Sequence, residues 1–401
     1  MGLVLAGQGV AMEGLYLMPN KPQSDWDPRS SSVLSQPTEA CDRMRRRCPV
    51  AYSDYLGWSL FRHDDVTRVL NDHDTFSNAA SSHLSVPNGM DPPEHTRYRQ
   101  LIEPYFTADR TDAFAPICRA ISADLVSRLP RGVEIDLVTQ FAQLFALQIQ
   151  CAFLGWPASL HEPLRRWIQK NHEATLARDT AKMAAIALEF DGYIGALLDV
   201  RREAGDAAPD DITTSLLRQR IGDRLLSEEE IVSILRNWTV GELGTIAASV
   251  GILAHYLAEH PQVQRQLRAD VALLPAAIDE ILRMRAPLIS NRRVATRPVE
   301  IGGRKIAAGE RITLMWSSAN RDEAVFGDPD VFRLDRDPTQ SLLYGTGIHV
   351  CPGADLSRLE LRIVMEELLV TEIAFAPGKL PVSAIYPASG FASLPVQIRS
   401  L

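Results

Sequence analysis

The chain has 401 residues, of which 46% are hydrophobic and 23% charged, enough apolar material for one large core or two medium ones, and this excludes a disordered chain. Its 42 basic and 50 acidic side chains leave a net charge of −8, which offers no long-range attraction to nucleic acid or to anionic lipid. The five cysteines, Cys41, Cys48, Cys118, Cys151 and Cys351, are odd in number and contain no C-x-x-C pair, which argues against a disulfide framework and against a zinc site.

Residues 1–25 read as an N-terminal extension. Its apolar start, Met1 to Met18, is interrupted by Gln8, Glu13 and several glycines, too short and too broken to span a bilayer. A soluble, cytoplasmic protein is expected, with neither a membrane nor a nucleic acid as partner. Residues 49–62 are aromatic and β-branched around a glycine, the pattern of a short hairpin. From about 96 to 260 apolar residues recur at three and four, which predicts a mainly helical region, with Gly205 to Asp211 as its clearest loop. Ser227 and Glu230 form a capping box that opens a run of some 30 residues, roughly 45 Å of helix, ending at His260-Pro261. Inside that helix Gly241 and Gly244 each cost roughly 1 kcal/mol relative to alanine. Two readings stand: something approaches the helix backbone there, or a neighbouring helix packs closely. Residues 294–316 alternate as strands around Gly302-Gly303 and Ala308-Gly309, and 381–399 does likewise. With no internal repeat and no dividing linker, residues 1–401 are expected to form one domain, mainly α with small β-sheets.

The chemistry concentrates in Leu343-Tyr344-Gly345-Thr346-Gly347-Ile348-His349-Val350-Cys351-Pro352-Gly353-Ala354, followed by a helical run to Leu369. Two glycines let the backbone pass close to a flat ligand, Pro352 suits a first helical turn, and the helix N-terminus favours a thiolate. N–H groups beyond Cys351 can donate to the sulfur and tune it as an iron ligand. The other four cysteines lack such surroundings and are read as structural.

Tyr344 to Gly353 resembles the haem-binding loop F-G-x-G-x-H-x-C-x-G of the cytochrome P450 family of haem-thiolate monooxygenases, with tyrosine in place of the first phenylalanine. That hydroxyl is read as a group that bonds near the thiolate. Further resemblances follow in chain order over nearly the whole length. Asp91-Pro92-Pro93-Glu94-His95-Thr96-Arg97-Tyr98-Arg99 is similar to the start of the family's helix C, which implies that His95 and Arg99 bind a haem propionate. Arg293 and His349 look like the other propionate partners, and charge-assisted bonds suit a dianionic cofactor in a dry pocket. Glu280 and Arg283 match the family's E-x-x-R and, with Arg336, imply a buried structural ion-pair triad. The resemblance implies the family's fold, a triangular helical prism around a buried haem b. It also assigns Tyr344, Gly345, His349, Cys351 and Gly353 to cofactor binding, with Cys351 as the iron ligand.

On the long helix, Gly241-Glu242-Leu243-Gly244-Thr245 falls on the family's (Ala or Gly)-Gly-x-(Asp or Glu)-Thr. Thr245 matches the alcohol that organises water for dioxygen protonation. Its usual acidic neighbour is absent: Gly244 stands there, and the acid has moved to Glu242. Three roles are open for Glu242: replacing the acid from the preceding turn, forming a structural ion pair, or recognising a polar group of the substrate.

By the same resemblance the substrate roof comes from residues 77–91, the helices around 160–190, and the turns carrying Leu288, Ile289 and Phe391. They are mostly apolar, as suits a small or medium organic molecule, and each of the last three is also ordinary core material. No G-x-G-x-x-G fingerprint is present, so no pyridine nucleotide is bound by that mechanism and electrons are expected from elsewhere; the resemblance implies a ferredoxin or flavodoxin with its reductase, with Arg97, Arg358 and Arg362 as candidates for the docking face. The expected activity is insertion of one atom of dioxygen into an organic substrate by hydroxylation, epoxidation or O-/N-dealkylation. Peroxide-driven peroxygenase chemistry and a non-catalytic haem-thiolate sensor are the alternatives. A cysteine hydrolase built on Cys351 and His349 has poor geometry and no orienting partner.

Overall fold

The computed structural model describes residues 22–80, 83–177 and 179–401. The Met1 to Met18 stretch, and Ser81 and Ser82 of the expected roof, lie outside the described residues. Asp25 is docked on the sheet: its carboxylate accepts from the Tyr52 N–H at 2.7 Å and pairs with Arg304 at 3.0 Å.

The expected hairpin is present as β1 (Val50–Ser53) and β2 (Gly57–Leu60). At Gly57 φ is +71° and a Cβ would lie 2.6 Å from the Arg311 carbonyl oxygen, so only glycine lets the next strand approach. A short strand, β3 (Phe76–Ser77), precedes the helical region, which contains α1 (Glu94–Ile102), α2 (Ala108–Arg128), a single strand β4 (Glu134–Asp136) and α3 (Gln143–Leu154). Gly205 ends a helix at φ +54° and Asp211 caps the next by accepting from Thr214 N–H, so the expected loop runs between these two.

The predicted capping box is real. Ser227 Oγ accepts from Glu230 N–H at 3.2 Å, and the Glu230 carboxylate accepts from Ser227 N–H at 2.7 Å. It opens α4 (Glu228–Glu259), whose 32 residues span about 48 Å at about 1.5 Å each. Among the described residues this is the one helix long and apolar enough to cross a membrane, and most of it is buried inside the protein. After α4 come α5 (Leu274–Met284), β5 (Ser290–Ala295), β6 (Arg311–Met315), α6 (Ala354–Leu368), β7 (Glu372–Phe375) and β8 (Pro395–Arg399). Between β5 and β6, Gly302 and Gly303 take φ +55° and +75° in a two-residue hairpin turn.

The larger sheet has the order β1-β2-β6-β5-β3, with β2 and β6 parallel and the other pairs antiparallel. Its register sets Ile312 against Trp58 on one side and against Arg293 on the other, which fixes Arg293 within the sheet. A smaller sheet runs β7-β8-β4. One apolar core joins α2 to α6, and a second lies under the larger sheet.

The implied triad closes α5 onto the segment before the cysteine loop. Arg283 grips Glu280 with two bonds, at 2.7 and 3.0 Å, and Arg336 Nε reaches the same carboxylate at 2.8 Å. The remaining guanidinium donors go to backbone, Arg283 to Asn320 and Pro329 and Arg336 to Phe326, Asp328 and Val331, and Arg336 also pairs with the Asp328 carboxylate at 2.9 Å. Glu280 and Arg283 are 4% and 2% exposed, so each depends on the other for charge compensation. Replacing Glu280 by alanine strands the buried Arg283 guanidinium and leaves Arg336 with Asp328 alone, and is expected to cost about 3–5 kcal/mol, read by urea unfolding. A loss below about 1 kcal/mol, the value of a surface pair, would contradict this role.

Candidate active site

Cys351 sits at the end of a tight loop built by glycine. Gly345 and Gly347 take φ +75° and +74°, and a Cβ on Gly347 would lie 2.5 Å from the Leu70 carbonyl oxygen. The Cys351 N–H donates to the Tyr344 carbonyl at 2.9 Å, and α6 begins at Ala354 with Gly353 as its cap. The Gly353 N–H points at the sulfur, as the sequence suggests, yet burial pushes the Cys351 thiol up. The Gly353 bond and the charges of Arg99 and Arg358 do not overcome it. The helix start alone therefore does not hold a thiolate here; a bound metal cation would deprotonate it outright. The other four cysteines are free, and burial raises all of them, Cys41 and Cys151 to about 12.

Tyr344 contributes its ring: the Arg358 guanidinium lies 4.5 Å from the ring centroid. Its hydroxyl makes no hydrogen bond to the Cys351 sulfur, which corrects the expectation from sequence. Arg358 and Arg362, read as docking residues, are paired with Asp279 at 3.2 Å and Glu366 at 3.3 Å; Arg97 is exposed.

A cavity of about 480 Å³ opens beside Cys351, and Gly353, Gly241, Glu242 and Thr245 also line it. A Cβ on Gly241 or Gly244 would meet nothing within 4 Å, which excludes close helix packing as the reason for glycine at either position. The Thr245 hydroxyl donates to the Gly241 carbonyl at 2.7 Å, leaving its lone pairs to accept from a guest.

Four groups that can carry positive charge, Arg293, Arg99, His95 and His349, also line the cavity. Arg293 is 2% exposed, and its guanidinium donates only to the neighbouring Arg292 carbonyl, at 2.7 Å. Burial lowers it to about 10. The rings of His95 and His349 lie 4.1 Å apart, and both Nε2 atoms are enclosed without a partner. Burial pushes both histidines down, His349 to about 3 with further help from its cationic neighbours. Arg99 bonds the Val350 carbonyl at 2.7 Å and Glu103 at 3.0 Å. A buried arginine and two orphaned imidazole nitrogens converging on one place require an anionic guest. A flat group with two carboxylates at one edge and a metal at its centre satisfies these donors and the lone sulfur together, so the residues present fit haem b.

The two remaining sequence readings divide. Among the described residues Glu242 forms no ion pair, which removes that reading of it; its neighbour is the carboxyl of Glu360 on α6. Of the expected substrate contacts, Leu288 lines the cavity, whereas Ile289 and Phe391 line a separate cavity of about 840 Å³. Phe391 stacks on His255 at 4.5 Å, and Ile289 packs against the cluster around Phe61 and Met315. The wall is less apolar than expected, with Asn78, Asn88, Gln150, Asn237 and Asn291 facing the space. Several of these amides fasten the roof: Asn78 Nδ2 donates to Asn88 at 2.5 Å, and Asn237 Nδ2 to Val86 at 3.0 Å. Phe106, Phe153 and Trp238 also line the cavity and escaped the sequence reading.

Comparison with known proteins places this geometry in a family. The Cytochrome P450 family model matches residues 60–371. The chain is 31% identical over 327 residues to the cyclomarin C epoxidase CymV of Salinispora arenicola, covering 78% of this chain and 82% of that protein. It is 33% identical over 328 residues to the mycinamicin IV hydroxylase/epoxidase of Micromonospora griseorubida, covering 78% and 81%. Among solved structures, a mutant of P450 EryK in complex with erythromycin B superposes with a TM-score of 0.83 at 27% identity, covering 91% of this chain and 97% of that one. Ligand-free P450 TbtJ1 gives a TM-score of 0.81 at 32% identity, with the same coverage. The chain belongs to the cytochrome P450 family, whose members are haem b monooxygenases.

Proposed function

We propose that this monooxygenase inserts one atom of dioxygen into a small or medium organic molecule by hydroxylation, epoxidation or dealkylation. Electrons come from a separate ferredoxin or flavodoxin with its reductase, in the cytoplasm. One observation carries the reading: the Cys351 thiol shares its cavity with Thr245, with the buried Arg293 and with the unpartnered Nε2 atoms of His95 and His349. Haem b, when bound, supplies the oxidising chemistry. Relatives named as an epoxidase, a hydroxylase/epoxidase and an N-oxygenase support a range of oxygen acceptors.

The chain's own residues have separable tasks in this reading. Cys351 ligates the iron, and the glycines at 345, 347 and 353 bring the backbone close to the flat face. Arg293, Arg99, His95 and His349 hold the propionates. Thr245, fixed by the Gly241 carbonyl, positions a water. Glu242 replaces the acid missing at Gly244 and supplies a proton to that water. Leu288 and the amide-fastened roof bound the substrate.

Replacing Arg293 by leucine removes charge-assisted bonds of about 1.5–3 kcal/mol, so haem retention is expected to weaken about 10–150-fold in transfer to apomyoglobin. Unchanged retention would remove Arg293 from the propionate site. For Thr245→Ala, product formed per reductant consumed is expected to fall on the order of tenfold or more while haem binding stays intact. The displaced acid favours one second reading, a peroxygenase. With a compound identified by its shift of the haem absorption band, turnover is expected with ferredoxin, reductase and oxygen. Product formed with hydrogen peroxide alone would replace the monooxygenase assignment by that second reading.

A further inference from the structure

On α4, Glu242 lines the cavity beside Gly241 and Thr245, and its carboxyl lies within hydrogen-bonding reach of Glu360 on α6. Glu360 is 0% exposed. Oε1 of Glu242 and both oxygens of Glu360 are enclosed and receive no hydrogen bond from any backbone N–H, hydroxyl or basic side chain. No cation acts on either group. Arg119 of α2 is committed to Glu366 and Glu367 at 2.5 and 2.8 Å, and Arg358 to Asp279. The titratable groups facing the pair are Cys118 on α2 and Tyr344 and Cys351 on the loop. Burial raises each of them, and the charge of the pair raises each further.

Two carboxylates side by side in a dry site cannot both be charged without a cation. At least one proton must stay, and an O–H of one carboxyl is the donor the other lacks. We infer that Glu360 keeps its proton and donates a hydrogen bond to Glu242, and so holds Glu242 as a group that releases and recovers a proton at the cavity. This rests on the monooxygenase reading with Glu242 as its acid; Glu360 acts through Glu242 and is a positioning residue. In the step, the Glu242 O–H bond breaks, the electron pair stays on the carboxylate, and the proton passes to a water in the cavity. The Glu360 O–H then satisfies the new charge, and a proton from solvent reloads Glu242. Without that donor a Glu242 carboxylate would have no hydrogen bond at Oε1 and would stay neutral. The electrostatics agree: burial pushes Glu242 up to about 7 and Glu360 well above its ordinary value, while the bond from Glu360 pulls Glu242 back down.

The test is an infrared titration of the haem-loaded resting protein between about pH 5 and pH 9, following the carbonyl band of protonated Glu242 identified by its loss in Glu242→Gln. Glu360→Gln keeps an N–H donor, and the Glu242 midpoint is expected to stay within about half a unit of its original position. Glu360→Leu removes the donor, and the midpoint is expected to rise by more than about one unit. A downward shift in either variant would mean that Glu360 is charged and repels Glu242, and would overturn the inference; so would the absence of any Glu242 carboxyl band at neutral pH. If the leucine variant does not fold, the glutamine variant alone decides, by an unmoved or a lowered midpoint. No substrate or reductant is used, so a negative result leaves the monooxygenase reading standing. A chain that takes up no haem fails that reading before the titration begins.

Discussion

The backbone cradle of Cys351 fixes one sulfur atom beside the start of a helix and at the wall of a cavity, and the rest of the molecule is arranged around that constraint. The cradle depends on Gly347, where φ is +74° and a Cβ would lie only 2.5 Å from the Leu70 carbonyl oxygen. It also depends on α5 being locked to the chain before the loop, which the buried bonds among Glu280, Arg283 and Arg336 accomplish. A buried thiol is reluctant to ionise, so a sulfur placed this way waits for a metal rather than acting alone as a nucleophile. This is the physical reason the hydrolase alternative fails: the His349 ring packs on His95, and its enclosed Nε2 bonds no acid among the described residues.

Electrostatics divide the cavity. One region gathers the buried Arg293, Arg99 with its Glu103 partner, and the unpartnered Nε2 atoms of His95 and His349, and an anionic guest completes it. On another wall Glu242 has the buried Glu360 behind it and no cation among the described residues, and a proton completes that pair. The same low-dielectric interior makes both demands strong, because it penalises an unpaired charge of either sign. A guest with carboxylates at one edge and a metal at its centre answers the first demand and the sulfur together. The second is left to the protein, and it lies where the long helix departs from the family pattern it resembles: Gly244 stands at the acid's place, and the carboxyl that lines the cavity, Glu242, has Glu360 from another helix as its neighbour.

What the sequence makes legible is local. The Ser227–Glu230 box, the hairpin glycines and the cysteine loop are written in consecutive residues, and each is found in the expected place. The Glu280–Arg283 pair is three apart on one helix and equally readable; Arg336 joins it through the resemblance. The features left open or misread depend on contacts between distant segments. Glu242 could not be oriented from sequence, because Glu360 lies 118 positions away and no spacing rule connects α4 to α6. Leu288 and Ile289 are adjacent, yet one faces the cavity with Cys351 and the other a separate space. Their division is decided just before β5, where side chains begin to alternate. The amides of the roof were invisible because polar loop residues resemble solvent-facing ones until the helix they bond is known.

The central claim is that Cys351 binds haem iron as a thiolate. Electron paramagnetic resonance of the oxidised, haem-loaded protein tests it most directly, read beside the Cys351→His variant. A low-spin signal with the g-values of cysteinate-ligated ferric haem, replaced in the variant by that of a nitrogen ligand, is the predicted result. A signal that is the same in both proteins would show that the iron is held elsewhere and would contradict the account.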